Sequence, residues 1–298
     1  MAKLWTVTFM RKISNMAILL DGKALALEKR EFIKQETIYL VRKHKIIPHL
    51  VVILIGEDPA SQSYVKGKEK ACLNAGIKST IIRKTENVTE VELISIIDQL
   101  NDDKTVHGIL LQLPIPQKLD MNKIINRISP SKDVDGFTLT NVAYLANGNP
   151  KLVPCTPLGI MKLLEKYQVQ IEGKHCVIIG RSQIVGKPMA SLLLKANGTV
   201  TICHSKTVEL AKIAKQADIL VVAIGKSKMV DDSFVKKGAV VIDVGISKIN
   251  GSISGDVDFD KACKIASYIT PVPGGVGPMT IACLLENTLS CYKMIMGE

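Results

Sequence analysis

The chain is 298 residues long, 47% apolar and only 4% aromatic, with a formal charge of +11. Length and apolar content suffice for two domains, each with its own core. The scarcity of aromatics excludes a stacking platform for single-stranded nucleic acid, and the Lys and Arg residues are scattered rather than clustered. A field of that sign equally suits an anionic small molecule. No apolar run approaches bilayer length before Gly, Pro or a charge interrupts it. Seven cysteines, an odd number with no Cys-x-x-Cys pair, fit reduced thiols in a cytosol-like compartment and give neither a disulfide framework nor a zinc site. These bounds lead us to expect a cytoplasmic protein with no membrane partner, no nucleic-acid partner and no metal.

Residues 1–15 carry three basic and no acidic side chains and are set aside as a leader or as non-native residues ahead of Met16. From Leu25 to Lys45, Leu25, Phe32, Ile33, Leu40 and Val41 recur at roughly two-turn spacing and predict a helix with one buried stripe. Leu50 to Ile55 reads as a buried strand, Ser61 to Ala75 as a helix closed by Gly76, and Ile77 to Ile82 as a second strand. Thr89-x-x-Glu92 is a capping box opening a helix that carries Leu93, Ile96, Ile97 and Leu100. Val106 to Leu113 is the next strand, stopped by Pro114 and Pro116. Between Pro130 and Pro154 the pattern gives way to turn chemistry, which marks the expected domain boundary. Thr156-Pro157 reads as N-cap and first helical residue. Strands then follow at 175–179, 199–203, 218–224 and 239–244, and a final helix begins at Thr280. Strands alternating with helices predict an α/β protein with parallel sheets.

One stretch organises the second half. Cys176 to Ile179 runs as a strand into Gly180, and Gly186 opens a helix through Met189, Leu192 and Leu193. Strand, glycine turn and helix aim backbone N–H groups and a positive helix end at a phosphate. Ser182 stands where the usual fingerprint has its second glycine, so an ordinary strand–helix turn is the competing account. The strand at 199–203 ends in His204-Ser205-Lys206-Thr207, with no carboxylate between Ala196 and Val208 to take a ribose hydroxyl. Arg181, Ser205 and Lys206 are donors suited to the extra phosphate of NADP instead.

Several groups could do chemistry in the first half. Tyr64 and Lys68 share a helix face one turn apart, where each could tune the other; a solvated lysine beside a half-buried tyrosine has the same spacing. Gln112 ends a strand, where it either orients Lys68 or merely caps the strand. Asp133 and Asp135 put two carboxylates on one side of an extended segment, suited to a heterocycle's N–H groups or to Asx turns. The loop from Pro271 to Met279 is a stiff connector, or a backbone that approaches a planar ligand closely through Gly274 and Gly275. His204 remains open. Another NADP oxidoreductase leaves Tyr64, Asp135 and this loop without joint purpose, and a basic nucleic-acid binder has only the net charge in its favour.

Seven segments in order, 59–68, Gln112-Leu-Pro114, Lys132-Asp-Val-Asp-Gly-Phe137, Pro154-Cys-Thr-Pro157, 180–188, Asp243-Val-Gly-Ile246 and 271–280, together resemble the bifunctional methylenetetrahydrofolate dehydrogenase/methenyltetrahydrofolate cyclohydrolase family. The resemblance spans nearly everything from Leu20 onward. It implies a folate-binding catalytic domain over 16–153 completed by 279–298, and a Rossmann-like NADP-binding domain over 154–278. It implies NADP-dependent oxidation of methylenetetrahydrofolate and hydrolysis of the methenyl product. Lys68 would be the acid–base residue, Tyr64 would stack on the folate, Gln112 would hold Lys68, and Asp135 would grip the pterin. Leu111, Leu113 and the backbone of Pro273, Gly274, Gly275, Val276 and Gly277 would line the folate pocket. Gly180, Arg181, Ser182, Ser205 and Ile246 would contact NADP. Members similar to this chain are usually homodimers joined through their cofactor domains.

Overall fold

The computed structural model describes residues 16–249 and 251–298; the expected leader lies outside the described residues. The chain runs β1 (Ile18–Leu19), α1 (Gly22–His44), β2 (His49–Ile55), α2 (Pro59–Asn74), β3 (Lys78–Lys84), α3 (Glu90–Asp102), β4 (Gly108–Leu111), α4 (Met121–Ile125) and α5 (Leu139–Ala146). It continues through α6 (Cys155–Lys166), β5 (His175–Ile179), α7 (Gly186–Lys195), β6 (Thr199–Cys203), α8 (Leu210–Ala214), β7 (Ile219–Val222) and β8 (Val240–Asp243). Last come β9 (Ser247–Ile249), β10 (Ser252–Ser254), α9 (Phe259–Ala262), β11 (Tyr268–Ile269) and α10 (Val276–Met296).

Two parallel sheets result, as the alternation predicts. The smaller has the order β3-β2-β4. All seven residues of its central strand are buried, because alternate side chains enter different cores: Leu50, Val52 and Leu54 meet α1, α2 and α10, whereas Val51, Ile53 and Ile55 meet α3. The larger sheet has the order β1-β11-β8-β7-β5-β6, with every pairing parallel. The chain steps from β5 outward to β6 and then returns to the other flank of β5 for β7. Open α/β sheets bind ligands at the carboxyl ends of strands at such a reversal. One hydrophobic core runs without a break from Leu50 and Leu110 of the smaller sheet through α6 and α10 to Ile178 and Ile242 of the larger.

The local signals held unevenly. Asp21 and Asp58 cap α1 and α2 by accepting from Ala24 and Ser61 N–H. Thr89 caps α3 through Glu92 N–H, but Glu92 turns its carboxylate to Lys84 at 2.7 Å, so only half of the expected box forms. Helix α6 starts at Cys155 rather than after Thr156, with no side-chain cap; the Thr156 hydroxyl lies 3.0 Å from that of Thr280 and ties α6 to α10. Helix α10 begins four residues before the expected Thr280, because Pro278 falls in its first turn, where no N–H is needed. The stretch taken as turns, 130–154, holds α5, capped by Thr138. The expected grouping put residues from 16 onward with the first sheet; Ile18 and Leu19 instead complete an edge of the larger one, opposite Tyr268 and Ile269. No described helix is long and apolar enough to cross a membrane.

Candidate active site

Helix α2 turns Ser61, Val65, Lys68 and Cys72 inward as one stripe. Lys68 is therefore only 7% exposed, which removes the solvated-lysine account. Its Nζ sits 5.4 Å from the centroid of the Tyr64 ring and donates to Gln112 Oε1 at 3.0 Å. Gln112 is held just beyond β4, its N–H on Ile53 O at 2.9 Å and its Nε2 on Leu113 O at 2.7 Å. Both alternatives for this residue are realised at once: it finishes the strand and meets Lys68.

The two aspartates separate. Asp133 is buried and its Oδ2 accepts from Thr138 N–H at 2.8 Å and Asn141 Nδ2 at 2.9 Å, so it organises the start of α5. Asp135 keeps some solvent contact, but its carboxyl is enclosed enough that burial pushes it up to about 6, against the pull of the nearby Lys68. Cys155 Sγ approaches Asp135 Oδ1 at 3.7 Å. Burial, then the charges of Cys155 and Asp135, raise the Tyr64 phenol. Tyr64, Lys68, Gln112 and Asp135 thus form one cluster. A residue that the sequence did not single out fixes its floor: buried Asn287 of α10 donates to Val134 O at 2.8 Å and Val153 O at 2.9 Å, either side of Asp135 and Cys155.

Tyr64 also lines a cavity of about 550 Å³ between α1 and the carboxyl end of the larger sheet. That volume is ordinary for a small-molecule site. Pro273, Gly274, Gly275, Val276 and Gly277 all line it, as does Ile246; Lys68, Leu111, Gln112, Leu113 and Asp135 do not. The loop is more than a connector, since Gly274 O accepts Lys23 N–H at 2.8 Å and a Cβ on Gly22 would lie 1.8 Å from Gly275 O. Lys23, Leu27 and Arg30 of α1 complete the wall. Their i, i+4, i+7 spacing was the available signal, hidden because charged residues on a helix usually face water.

At the fingerprint, Gly180 has φ +130°, and a Cβ there would come 2.3 Å from Ala223 O. A Cβ on Gly186 would meet Gly180 O at 2.2 Å, so both glycines are required for the turn to close. Ser182 Oγ accepts from Val185 N–H at 3.2 Å and Gly186 N–H at 3.4 Å, bracing the loop from within. Gly180 N–H bonds to Cys203 O at 2.9 Å, which brings the turns after β5 and β6 side by side. His204 has a structural part: its Nδ1 accepts from Lys206 N–H and its own N–H donates to Thr207. Arg181, Ser182, Ser205 and Lys206 are exposed at this end of the sheet. Exposed cationic and hydroxyl donors beside a tight glycine turn fit the phosphates of NADP.

Two parallel sheets, a dinucleotide turn on the larger and a buried lysine cluster at the end of the smaller, joined to the cavity through Tyr64, define a cofactor-dependent α/β enzyme with a separate acid–base centre. Residues 20–135 match the catalytic domain of tetrahydrofolate dehydrogenase/cyclohydrolase, and residues 154–296 match its NAD(P)-binding domain; the chain belongs to this family. It is 54% identical over 274 residues to the Bifunctional protein FolD of Streptococcus agalactiae, covering 92% of this chain and 96% of that protein. Among solved structures it is similar to the FolD methylenetetrahydrofolate dehydrogenase/cyclohydrolase of Campylobacter jejuni, at 51% identity and TM-score 0.91 over 93% of this chain and 99% of that one. The Trypanosoma brucei enzyme complexed with NADP and an inhibitor gives 39% identity and TM-score 0.92 over 96% and 100%.

Proposed function

We infer that the chain carries out two consecutive reactions on one folate: NADP-dependent oxidation of 5,10-methylenetetrahydrofolate to the 5,10-methenyl form, then hydrolysis of that product to 10-formyltetrahydrofolate. The observation that carries this is the buried Lys68, fixed by Gln112 beside Tyr64 and Asp135. In the first step the methylene carbon gives up a hydride with both electrons; NADP, held at the glycine turn of Gly180 to Gly186, would supply the acceptor. The resulting cation needs no further activation by the protein. In the second step water adds to the methenyl carbon; one of its protons leaves to solvent with the positive charge, and Lys68 carries the other to the nitrogen released when the ring opens. Gln112 keeps the amine aimed, Tyr64 stacks on and hydrogen-bonds the folate, and ionised Asp135 accepts N–H bonds from the pterin. The backbone of Pro273 to Gly277 lines the folate pocket, with Leu111 and Leu113 flanking Gln112. Gly180 and Ser182 shape the turn that receives the pyrophosphate at the start of α7, Arg181 and Ser205 meet the extra phosphate, and Ile246 meets the nicotinamide end. Holding both partners in one cleft supplies the orientational share of the rate.

Residues 20–153 with 279–298 form the folate unit and 154–278, with Ile18 and Leu19 at its sheet edge, the cofactor unit; the packing of α10 on α1 and α2 supports this, and its packing on α6 ties the two units together. The homodimer joins through the cofactor unit. In support, β6 is a free sheet edge carrying exposed Ile202, near exposed Leu194 and Val208. Seven buried free thiols support a cytoplasmic setting. The test is an absorbance assay for the methenyl product with methylenetetrahydrofolate and NADP, repeated with NAD. Product with NADP, followed by its hydrolysis, is expected; no methenyl product with either cofactor overturns the reading.

A further inference from the structure

Two buried carboxylates at the carboxyl end of the larger sheet have no part in the reactions above. Asp243, the last residue of β8, is 4% exposed, and Asp256, just past the β9–β10 hairpin, is 0% exposed. Asp243 Oδ1 accepts from Gly245 N–H at 3.0 Å and Asp256 N–H at 2.9 Å, and its Oδ2 from Val257 N–H at 3.0 Å. Asp256 Oδ2 accepts from Ile224 N–H at 2.7 Å and Gly225 N–H at 2.9 Å, while its Oδ1 is buried with no partner. The main-chain N–H of Asp243 donates to Thr270 Oγ1 at 2.7 Å, at the root of the glycine-rich loop.

The two acids are seated through glycines. A Cβ on Gly245 would lie 2.2 Å from Asp256 Cγ, and one on Gly255 would lie 1.9 Å from Asp243 Oδ2. Three separate segments are therefore tied to one pair of side chains, the turn after β7, the turn after β8 and residues 255–257, while Thr270 joins them through the main chain of Asp243. Burying carboxylates whose partners are main-chain N–H groups alone is costly, and apolar side chains would hold a core at less expense. Charge-assisted bonds offer direction instead, fixing each loop at a set distance and angle.

Where those loops lead follows from the sheet. The turn after β6 is the phosphate end, the glycine turn after β5 comes next, and continuing across the carboxyl ends of β7 and β8 reaches Ile224, Gly225 and Val244 to Ile246. That last segment lines the cavity shared with Tyr64. We propose that Asp243 and Asp256 are positioning residues for hydride transfer: together they hold the turns after β7 and β8 in the shape that receives the nicotinamide end of the cofactor. The proposal rests on the folate reading above, and it separates the two activities, since hydrolysis of the methenyl compound uses no cofactor.

The test measures each activity alone on the full-length enzyme, with methylenetetrahydrofolate and NADP for oxidation and with methenyltetrahydrofolate alone for hydrolysis. Asp256→Ala is expected to lower dehydrogenase kcat/KM by about tenfold or more, through a raised KM for NADP and a lower kcat, as misplacement of a reacting group does. Its cyclohydrolase rate should stay within about twofold of the unsubstituted enzyme at an unchanged circular dichroism spectrum. Asp256→Asn keeps an acceptor oxygen for Ile224 and Gly225 and should recover part of the loss; it also carries the test if the Ala variant fails to fold. Equal loss of both activities, or an unchanged dehydrogenase, overturns the brace. An unsubstituted enzyme with neither activity overturns the folate reading itself, and the brace with it.

Discussion

Lys68 Nζ and Gln112 Oε1 lie 3.0 Å apart, and the nitrogen of the same amide is committed to Leu113 O at 2.7 Å. The amide cannot turn over without giving up both bonds, so its oxygen stays toward the amine. Lys68→Met removes the proton carrier while preserving the length of the side chain. The variant is expected to lose cyclohydrolase activity and to bind NADP as tightly as the unsubstituted enzyme, measured by fluorescence titration. Weakened NADP binding in a folded variant would take Lys68 out of the folate pocket.

Asp135 supplies a pH signature. Burial pushes its carboxyl up to about 6, so it is ionised above that pH and protonated below it. An acceptor for pterin N–H groups is lost as the pH falls through about 6, and KM for the folate should rise there while KM for NADP stays flat. Asp135→Asn should raise the folate KM at pH 7 and erase the break. Steady-state kinetics between about pH 5 and pH 8 checks this, and a folate KM without a break near 6 rejects the role given to Asp135.

Arg181 follows Gly180 directly, is exposed, and stands beside the turn that presents Ser205. A guanidinium bonded to a phosphate contributes about 1.5–3 kcal/mol. Arg181→Ala should therefore weaken NADP by roughly tenfold to a hundredfold and NAD hardly at all. Comparing the two dissociation constants in one titration series decides it; equal losses would remove Arg181 from phosphate recognition.

Much of this cluster was legible because its parts are local. Tyr64 and Lys68 sit one helical turn apart, and Gln112 ends a strand whose apolar run is unmistakable. Asp133 and Asp135 could not be told apart, because what divides them is the start of α5, and eight residues among turn formers are too few to display a helical period. Strands β1 and β11, of two residues each, are too short for any alternation to register. Asn287 left one faint trace, an amide on the otherwise apolar stripe of α10 whose partners lie over a hundred positions away.

His107 is expected to erode stability in acid. It is fully buried, its Nδ1 takes His49 N–H at 3.1 Å, its ring packs 4.7 Å from that of Tyr292, and its Nε2 has no partner. Burial, then the charges of His49 and Lys132, lower its pKa from 6.5 to about 4. Between those values the unfolded chain takes up a proton that the folded one refuses, so this contribution to stability is present above 6.5 and lost as the pH falls toward 4. Asp135 and Asp243, both raised to about 6, act in the opposite direction, so the effect is read as a difference between proteins. His107→Asn, which keeps an acceptor for His49, should flatten the fall in urea midpoint on acidification. Parallel curves for the two proteins would reject the assignment.

The pairing of Ile18 with Tyr268 and the seat of Gly22 against Gly275 also bear on how the molecule comes into being at the ribosome. Helix α1 emerges early but lacks its largest neighbour, α10, and β1 its partner β11, until residues 268–296 have been made, so the opening segment waits through almost the whole of translation. A chain interrupted before α10 would lack the wall of the cavity and Asn287's hold on the segment carrying Asp135. Truncation at that point is expected to cost both activities at once, so that competence arrives late and all together.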